Sequence, residues 1–530
     1  MNSAKAKGGM NAALWLFALG VFMGALDNGI MSSALTTITT SFHVTATWGA
    51  WSITIYTLAL AISVPLMAKL SDRFGRKRFF LIGVAVFGIG SLGVALSGNF
   101  TVFLLARLLQ GFGGGGIFPI ANGYITSTFP KERQGAALGM VGGMNGIASI
   151  LGPNIGSFIL GATNDWHWLF WINVPIALLL VIFGTMYIKE NRTAKPGSFD
   201  IFGAVILSGS IFSIMYGLTK LQGGTFIQGL ENPSFLLLMV IGIVLFALLL
   251  LYERNLWRKG HDPIIPIQLL ARNYIRFTLL VGFGSGLILA SVIFLPGFNQ
   301  MVLGFSVSAA GYLYTPMTIA SGVGAVFGGR IMDKRGPVFT LLLGLASALI
   351  GAGLFPLFVH NLWEMIIASA LLGLGVGVTL AAPLNFLMTT NAEGFESSSL
   401  GLLSLIRQIG MTIGPVLYAD FLSASLTNVK AQIVTNLQKV NFPISQIPSS
   451  EFAKMQNVAG GMGGANLSSI NQIPVPQVRT AILDAIHTTA QAGFGDIYGA
   501  TAVVAALAIF ALIFIRGYKH DLKTKTHSAS

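Results

Sequence analysis

Fourteen stretches of this 530-residue chain are apolar over about twenty residues each, and that constrains the fold more than any other feature. A bilayer core about 30 Å thick is crossed by a helix of that length. The stretches, numbered here as spans 1 to 14, lie near 12–36, 48–70, 79–97, 101–125, 136–160, 168–188, 202–220, 234–252, 276–297, 308–331, 338–358, 363–388, 398–425 and 498–516. They are continuous runs, whereas membrane β-strands alternate over about ten residues, so the sequence predicts an all-α polytopic membrane protein. Only 9% of residues are charged, too few to clothe soluble domains, which carry about 25%. Cysteine is absent, which excludes disulfide frameworks, thiolate catalysis and cysteine-based metal sites. Span 1 follows Lys5 and Lys7 and outruns the apolar core of a cleaved signal peptide, so it is expected to be retained.

Basic residues set the expected topology. With the N-terminus inside, 24 of the 31 Lys and Arg fall in inside loops and tails, five fall outside, and Arg107 and Arg407 lie within spans. Both termini are therefore expected in the cytoplasm, and the net charge of +13 reads as a topology signal, not a nucleic-acid surface. The basic tail after Arg516 is read as solvated, with contact to anionic membrane lipids as the alternative. No metal-ligand cluster, nucleophile motif or soluble domain speaks for an enzyme. Gly111 to Gly116 has neither the strand nor the Gly-Lys-Ser/Thr of a phosphate loop, so it reads as close helix packing.

The chain repeats itself. Asp72 and Gly75 in the loop after span 2 recur 261 positions later as Asp333 and Gly336. Gly152-Pro153 in span 5 recurs 262 positions later as Gly414-Pro415 in span 13, and Gly111 and Gly113 recur near the same offset as Gly373 and Gly375. Spans 1–6 and 9–14 are thus two parallel copies, and such repeats around a midplane site are a transporter architecture. The expected organisation is an N-terminal six-helix bundle (1–190), a linker with inserted helices 7 and 8 (191–262), and a C-terminal six-helix bundle (263–530). The last contains a long outside loop, 426–497, read as mobile, with a gate as the alternative. Val478, Ile482 and Ile486 fall at helical spacing, so 477–492 is expected to be a surface helix leading into span 14.

These motifs resemble the major facilitator superfamily, in its fourteen-helix drug–proton antiporter family. Residues 68–78 are similar to that superfamily's loop 2–3 motif, with Ala68 in place of its first glycine. Arg107, Gln110 and Gly111 match the span 4 motif, and Gly152, Pro153 and Gly156 match the antiporter motif of span 5, where Ala148 and Ser157 replace two glycines. Leu26-Asp27-Asn28, Trp51, Thr54 and Tyr56, Asn173-Val174-Pro175, and Leu295-Pro296 with Gln300 also resemble the family, whereas His167 departs from its usual Trp-Arg-Trp. The resemblance implies a monomeric plasma-membrane antiporter without cofactor or metal, which uses protons as coupling ion to export lipophilic, often cationic, compounds. A lipid or glycolipid exporter on the same scaffold is the alternative.

Candidate roles follow from the cost of membrane charges, roughly 2.5–3.5 kcal/mol at a helix centre on insertion scales. Asp27 in span 1 and Arg107 in span 4 lie at comparable depth, and two roles fit them: a carboxylate alternating between arginine and proton, or a permanent clip between helices. Asp420 and Arg407, both in span 13, lie about 20 Å apart along it and cannot pair. Asp420 reads as an interfacial carboxylate with a transport role as the alternative, and Arg407 needs a partner from elsewhere or water. Asp72, Arg73, Gly75 and Arg76, with Asp333, Arg335 and Gly336, resemble a cytoplasmic latch and also serve topology. Gly152-Pro153 removes a helix hydrogen bond and permits bending. Trp51, Tyr56, Gln110, Asn145, Asn154, Asn173, Asn299 and Gln300 are the expected cavity residues.

Overall fold

A computed structural model describes residues 2–44, 46–191, 200–220, 229–259, 263–265, 270–305, 312–390, 392, 395–426, 428–439 and 476–517. Every regular element among these residues is helical. Among the described residues, twelve helices are long and apolar enough to cross a membrane, against fourteen expected spans. Spans 5 and 10 stand outside those twelve, although they form the long helices Lys131–Thr163 and Thr315–Arg335.

Spans 5 and 10 pack on each other. A Cβ on Gly329 would lie 2.2 Å from the Gly135 carbonyl oxygen, and one on Gly139 would lie 2.6 Å from that of Ala325. Bulky apolar residues have given way to small ones that let the backbones meet. This crossing is one seam between the two halves of the chain. The other is span 2 (Ala46–Phe74) against span 13 (Glu396–Leu426), where Gly401 approaches Pro65 and Ala68.

The inserted helices, Ile201–Thr219 and Pro233–Arg258, lie along that second seam. Ala204, Leu207, Ile211 and Met215 of span 7 share a core with Leu58 and Ala61 of span 2 and with Leu402 and Leu405 of span 13. Span 8 is tied to span 7 by the Ser210 hydroxyl, which donates to the Gly242 carbonyl at 2.8 Å. It turns Leu237, Ile243 and Leu251 outward, as a lipid-facing helix must. Each half also has its own aromatic core: Phe17, Phe80 and Tyr124 in the first, Phe298, Phe355 and Tyr498 in the second.

Several spans are broken. Span 4 is Phe100–Gly114 followed by Ile117–Thr128, span 6 is Trp168–Trp171 followed by Asn173–Tyr187, span 9 ends in a 3-10 turn (Val292–Phe294) and Leu295–Met301, span 12 ends in Pro383–Thr389, and span 14 ends in a 3-10 segment, Leu512–Gly517. The expected helix at 477–492 is present and leads into span 14, as the first part of one 36-residue helix, Pro476–Ala511; its placement at the surface is what the structure corrects. Its apolar stripe, Val478, Ile482 and Ile486, does not face water. It packs on Val429, Ile433 and Leu437 of an unforeseen helix, Val429–Lys439. Most of the remaining loop (440–475) and the basic tail from 518 lie outside the described residues.

Candidate functional site: a buried ion pair and a paired closure

Asp27 and Arg107 meet. Arg107 Nη1 donates to Asp27 Oδ2 at 2.7 Å, and both side chains are sealed from solvent. The other carboxylate oxygen accepts from Gln110 Nε2 at 2.8 Å and Asn173 Nδ2 at 3.1 Å. Gln110 Nε2 also donates to Ser91 Oγ at 2.8 Å, and its carbonyl accepts from Arg107. The guanidinium lies 4.2 Å from the centre of the Tyr56 ring and 5.7 Å from that of Phe170. Spans 1, 2, 3, 4 and 6 thus converge on one buried network around the Asp27–Arg107 pair. A charge pair in low dielectric persists only with such geometry and satisfied lone pairs.

Glycine permits the convergence at Gly152. A Cβ there would sit 2.5 Å from the Gly29 Cα, so the antiporter-motif glycine presses span 5 onto span 1 two residues from Asp27. Gly156 is buried in the same helix, and the side chain of Pro153 lies outside those described. In the second half, Gly414 takes the matching place against Ala290 of span 9, and Pro415 lies inside the helix.

The expected cavity set divides. Tyr56, Gln110 and Asn173 are buried parts of the Asp27 network, and Asn299 is buried in the second half, so none of the four offers surface to a cavity here. Trp51 packs its ring 5.7 Å from that of Tyr216 in the inserted span 7. Asn145, Asn154 and Gln300 are half-buried. Asp420 is half-buried and has no hydrogen bond or ion pair among the described residues. His167 sits on Asp165, to which it is bonded through Nδ1, and stacks 3.8 Å from Trp166. Burial pushes the Asp165 carboxyl up, but hydrogen bonds from His167 outweigh it and hold the carboxyl below its ordinary range.

The basic end of the molecule is closed by two related contacts. Arg76 is fully buried: Nη2 donates to Asp72 Oδ1 at 2.7 Å and to Glu396 Oε2 at 2.8 Å, and Nη1 reaches Ser127. Asp72 Oδ2 accepts from the Ser398 amide at 2.8 Å and its hydroxyl at 3.0 Å. Asp72 therefore caps the start of the span 13 helix from the other half, where its charge also suits the helix dipole. Across the first seam Asp333 accepts from the amides of Gly135 at 2.9 Å and Ala136 at 3.2 Å, near the start of the span 5 helix. The repeat is visible in the backbone too: Gly75 and Gly336 both adopt positive φ, 117° and 85°, a region that favours glycine. Arg335 does not join the closure; it is exposed and lies over Phe339. Arg73 is buried over Phe74. Sequence reasoning missed Glu396, Ser398 and Glu190, whose carboxylate accepts from the Lys77 and Arg78 amides. An acid and serines at the first turn of a span are the signal that could have found the first two.

Burial pushes the Glu396 carboxyl above its ordinary range against the pull of Arg76, and raises Asp333 against its two amide donors. When the halves part and water enters, both return toward the usual value near 4. The closed form then binds protons more tightly, so closure gains stability as pH falls through the raised pKa and loses it as pH rises. Spin labels on cysteines placed at exposed Lys131 and Lys334 are expected to move closer as pH falls from about 8 to about 5. Distances that lengthen on acidification would contradict this sign.

The sequence from residue 17 to 415 matches the family model of the Major Facilitator Superfamily, and the chain belongs to that superfamily. It is a membrane transporter, not an enzyme. It is similar to the uncharacterized MFS-type transporter YfiU of Bacillus subtilis, 47% identical over 506 residues, covering 94% of this chain and 96% of that one. It is also similar to Multidrug resistance protein 3 of the same organism, 30% identical over 88% of this chain and 87% of that one. The Tetracenomycin C resistance and export protein of Streptomyces glaucescens is 26% identical over 95% of this chain and 91% of its own. Among solved structures, the human organic anion transporter MFSD10 shares the fold with a TM-score of 0.55 at 13% identity, covering 95% of this chain and 99% of that one.

Proposed function

We propose that the chain is a proton-coupled antiporter of the fourteen-helix drug-efflux kind, which exports lipophilic, often cationic, compounds by alternating access, with its basic end in the cytoplasm. The observation that carries this reading is the buried Asp27–Arg107 pair with its amide shell. A carboxylate held by one cation and two neutral amides is placed to exchange the arginine for a proton. Closure of the basic end by Asp72–Ser398, Arg76–Glu396 and Asp333–Gly135 fits an outward-facing state. Relatives named for multidrug resistance and for tetracenomycin C export support the cargo class.

The test is transport in proteoliposomes. Under an imposed pH gradient, rhodamine 123 is expected to accumulate against its own gradient, and a rhodamine gradient is expected to move protons the other way. Dye flux indifferent to the pH gradient would remove the coupling. Translocation of labelled lipid without dye flux would make the chain a lipid exporter instead.

A further inference from the structure

The second membrane arginine lacks what Arg107 has. Nε and Nη2 of Arg407 are shut off from solvent and have no hydrogen-bond partner. No carboxylate among the described residues pairs with it. Asp27, meanwhile, is already neutralised by Arg107, so it does not balance the second charge.

Helix geometry places Arg407. Successive residues turn by about 100°. Leu402, Leu405, Ile413 and Val416 pack with span 2 and the inserted pair. Leu403, Gly410 and Gly414 meet span 9. The sector left over holds Ser404, Gln408, Met411, Thr412 and Pro415, all half-buried, and Arg407, also half-buried, borders it. Asn145 of span 5 lies 262 positions earlier, so the repeat sets an amide and a guanidinium at matching places in the two halves.

We infer that Arg407 is a receptor for the acid group of amphipathic substrates, a carboxylate or sulfonate on an apolar body. Its two unpaired donors, Nε and Nη2, form one edge of the guanidinium fork, the edge that takes a carboxylate with two parallel hydrogen bonds. An unmatched buried cation is costly, and an arriving anion removes that cost, whereas a cationic substrate would add to it. Ser404, Gln408 and Thr412 supply neutral donors beside it, and Met411 an adaptable apolar surface. The inference rests on the proposal that lipophilic compounds are the cargo, and narrows it: anionic and zwitterionic amphiphiles are carried as well as cations.

Fluorescein and rhodamine 123 are xanthenes of similar size and opposite charge, and they test this on the full-length protein. Binding to purified protein in detergent, read by fluorescence anisotropy, separates the inference from the transport reading. Fluorescein is expected to bind, to lose about tenfold or more in affinity in Arg407→Gln, and to recover in part in Arg407→Lys, while rhodamine 123 binding holds or tightens. Failure of fluorescein to bind, or equal losses for both dyes in Arg407→Gln, overturns the receptor. Competition by phosphatidylglycerol but not phosphatidylcholine, lost in the same variant, supports the site and assigns its natural acid to a lipid. Competition by a soluble lipophilic carboxylate alone supports it and assigns the acid to a drug-like solute. Loss of pH-driven dye transport with binding intact would strike at the antiport proposal and leave the site standing.

Discussion

Asp27→Asn is expected to abolish uphill, pH-driven efflux in proteoliposomes while downhill substrate exchange survives. The amide keeps the size of the carboxylate but cannot alternate between charge states. The loss should reach the level of a collapsed pH gradient, about tenfold or more, since an amide takes up no proton and leaves the gradient nothing to drive. The same substitution strands Arg107, whose Nη1 now meets Asp27 at 2.7 Å, so the single variant should also unfold at lower temperature. Adding Arg107→Gln removes the stranded cation. If the pair couples protons to transport, the double variant regains thermal stability and stays uncoupled. If the pair is a permanent clip between spans 1 and 4, the double variant recovers pH-driven transport along with stability, and the coupling role is lost.

Spacing and cost made that pair legible. Two charges in apolar helices at equal depth are conspicuous because each is expensive alone. Span positions, the repeat and the glycines of both loops were legible for a similar reason: hydropathy, offset and a required backbone conformation are local properties. What escaped were partners contributed across a seam. Nothing in the sequence near Asp72 says that its second oxygen meets the amide of Ser398, 326 residues away. Asn299 and Gln110 read as cavity amides, yet both are buried, because a polar residue on an apolar helix carries no mark of whether it faces a ligand or another side chain. The stripe at 478–486 had the right period and the wrong partner; helix Val429–Lys439 covers it instead of water.

Removing Arg76 should open the basic end more than removing either of its acids. Its guanidinium is fully buried between Asp72 and Glu396, the first on span 2 and the second at the start of span 13. Arg76→Gln removes the guanidinium that the two carboxylates share in the seam, a loss of about 3–5 kcal/mol for a broken buried pair. Glu396→Gln keeps Arg76 with Asp72 and removes a carboxylate that burial already disfavours, so its effect should be smallest. Asp72→Asn keeps an oxygen for the Ser398 amide but removes the anion from the helix start, for about 0.3–1 kcal/mol, and also weakens the hold on Arg76. The native chain has no cysteine, so labels at Arg78 and Lys334, both exposed, report the opening without background. The closed population is expected to fall in the order Arg76→Gln, then Asp72→Asn, then Glu396→Gln. Adding Glu396→Gln to Arg76→Gln should restore part of the closure, because one of the two like charges that Arg76 held together is then gone. An Arg76→Gln protein as closed as the native one, or a double variant more open than Arg76→Gln alone, would show that the cluster marks topology and does not hold the halves together.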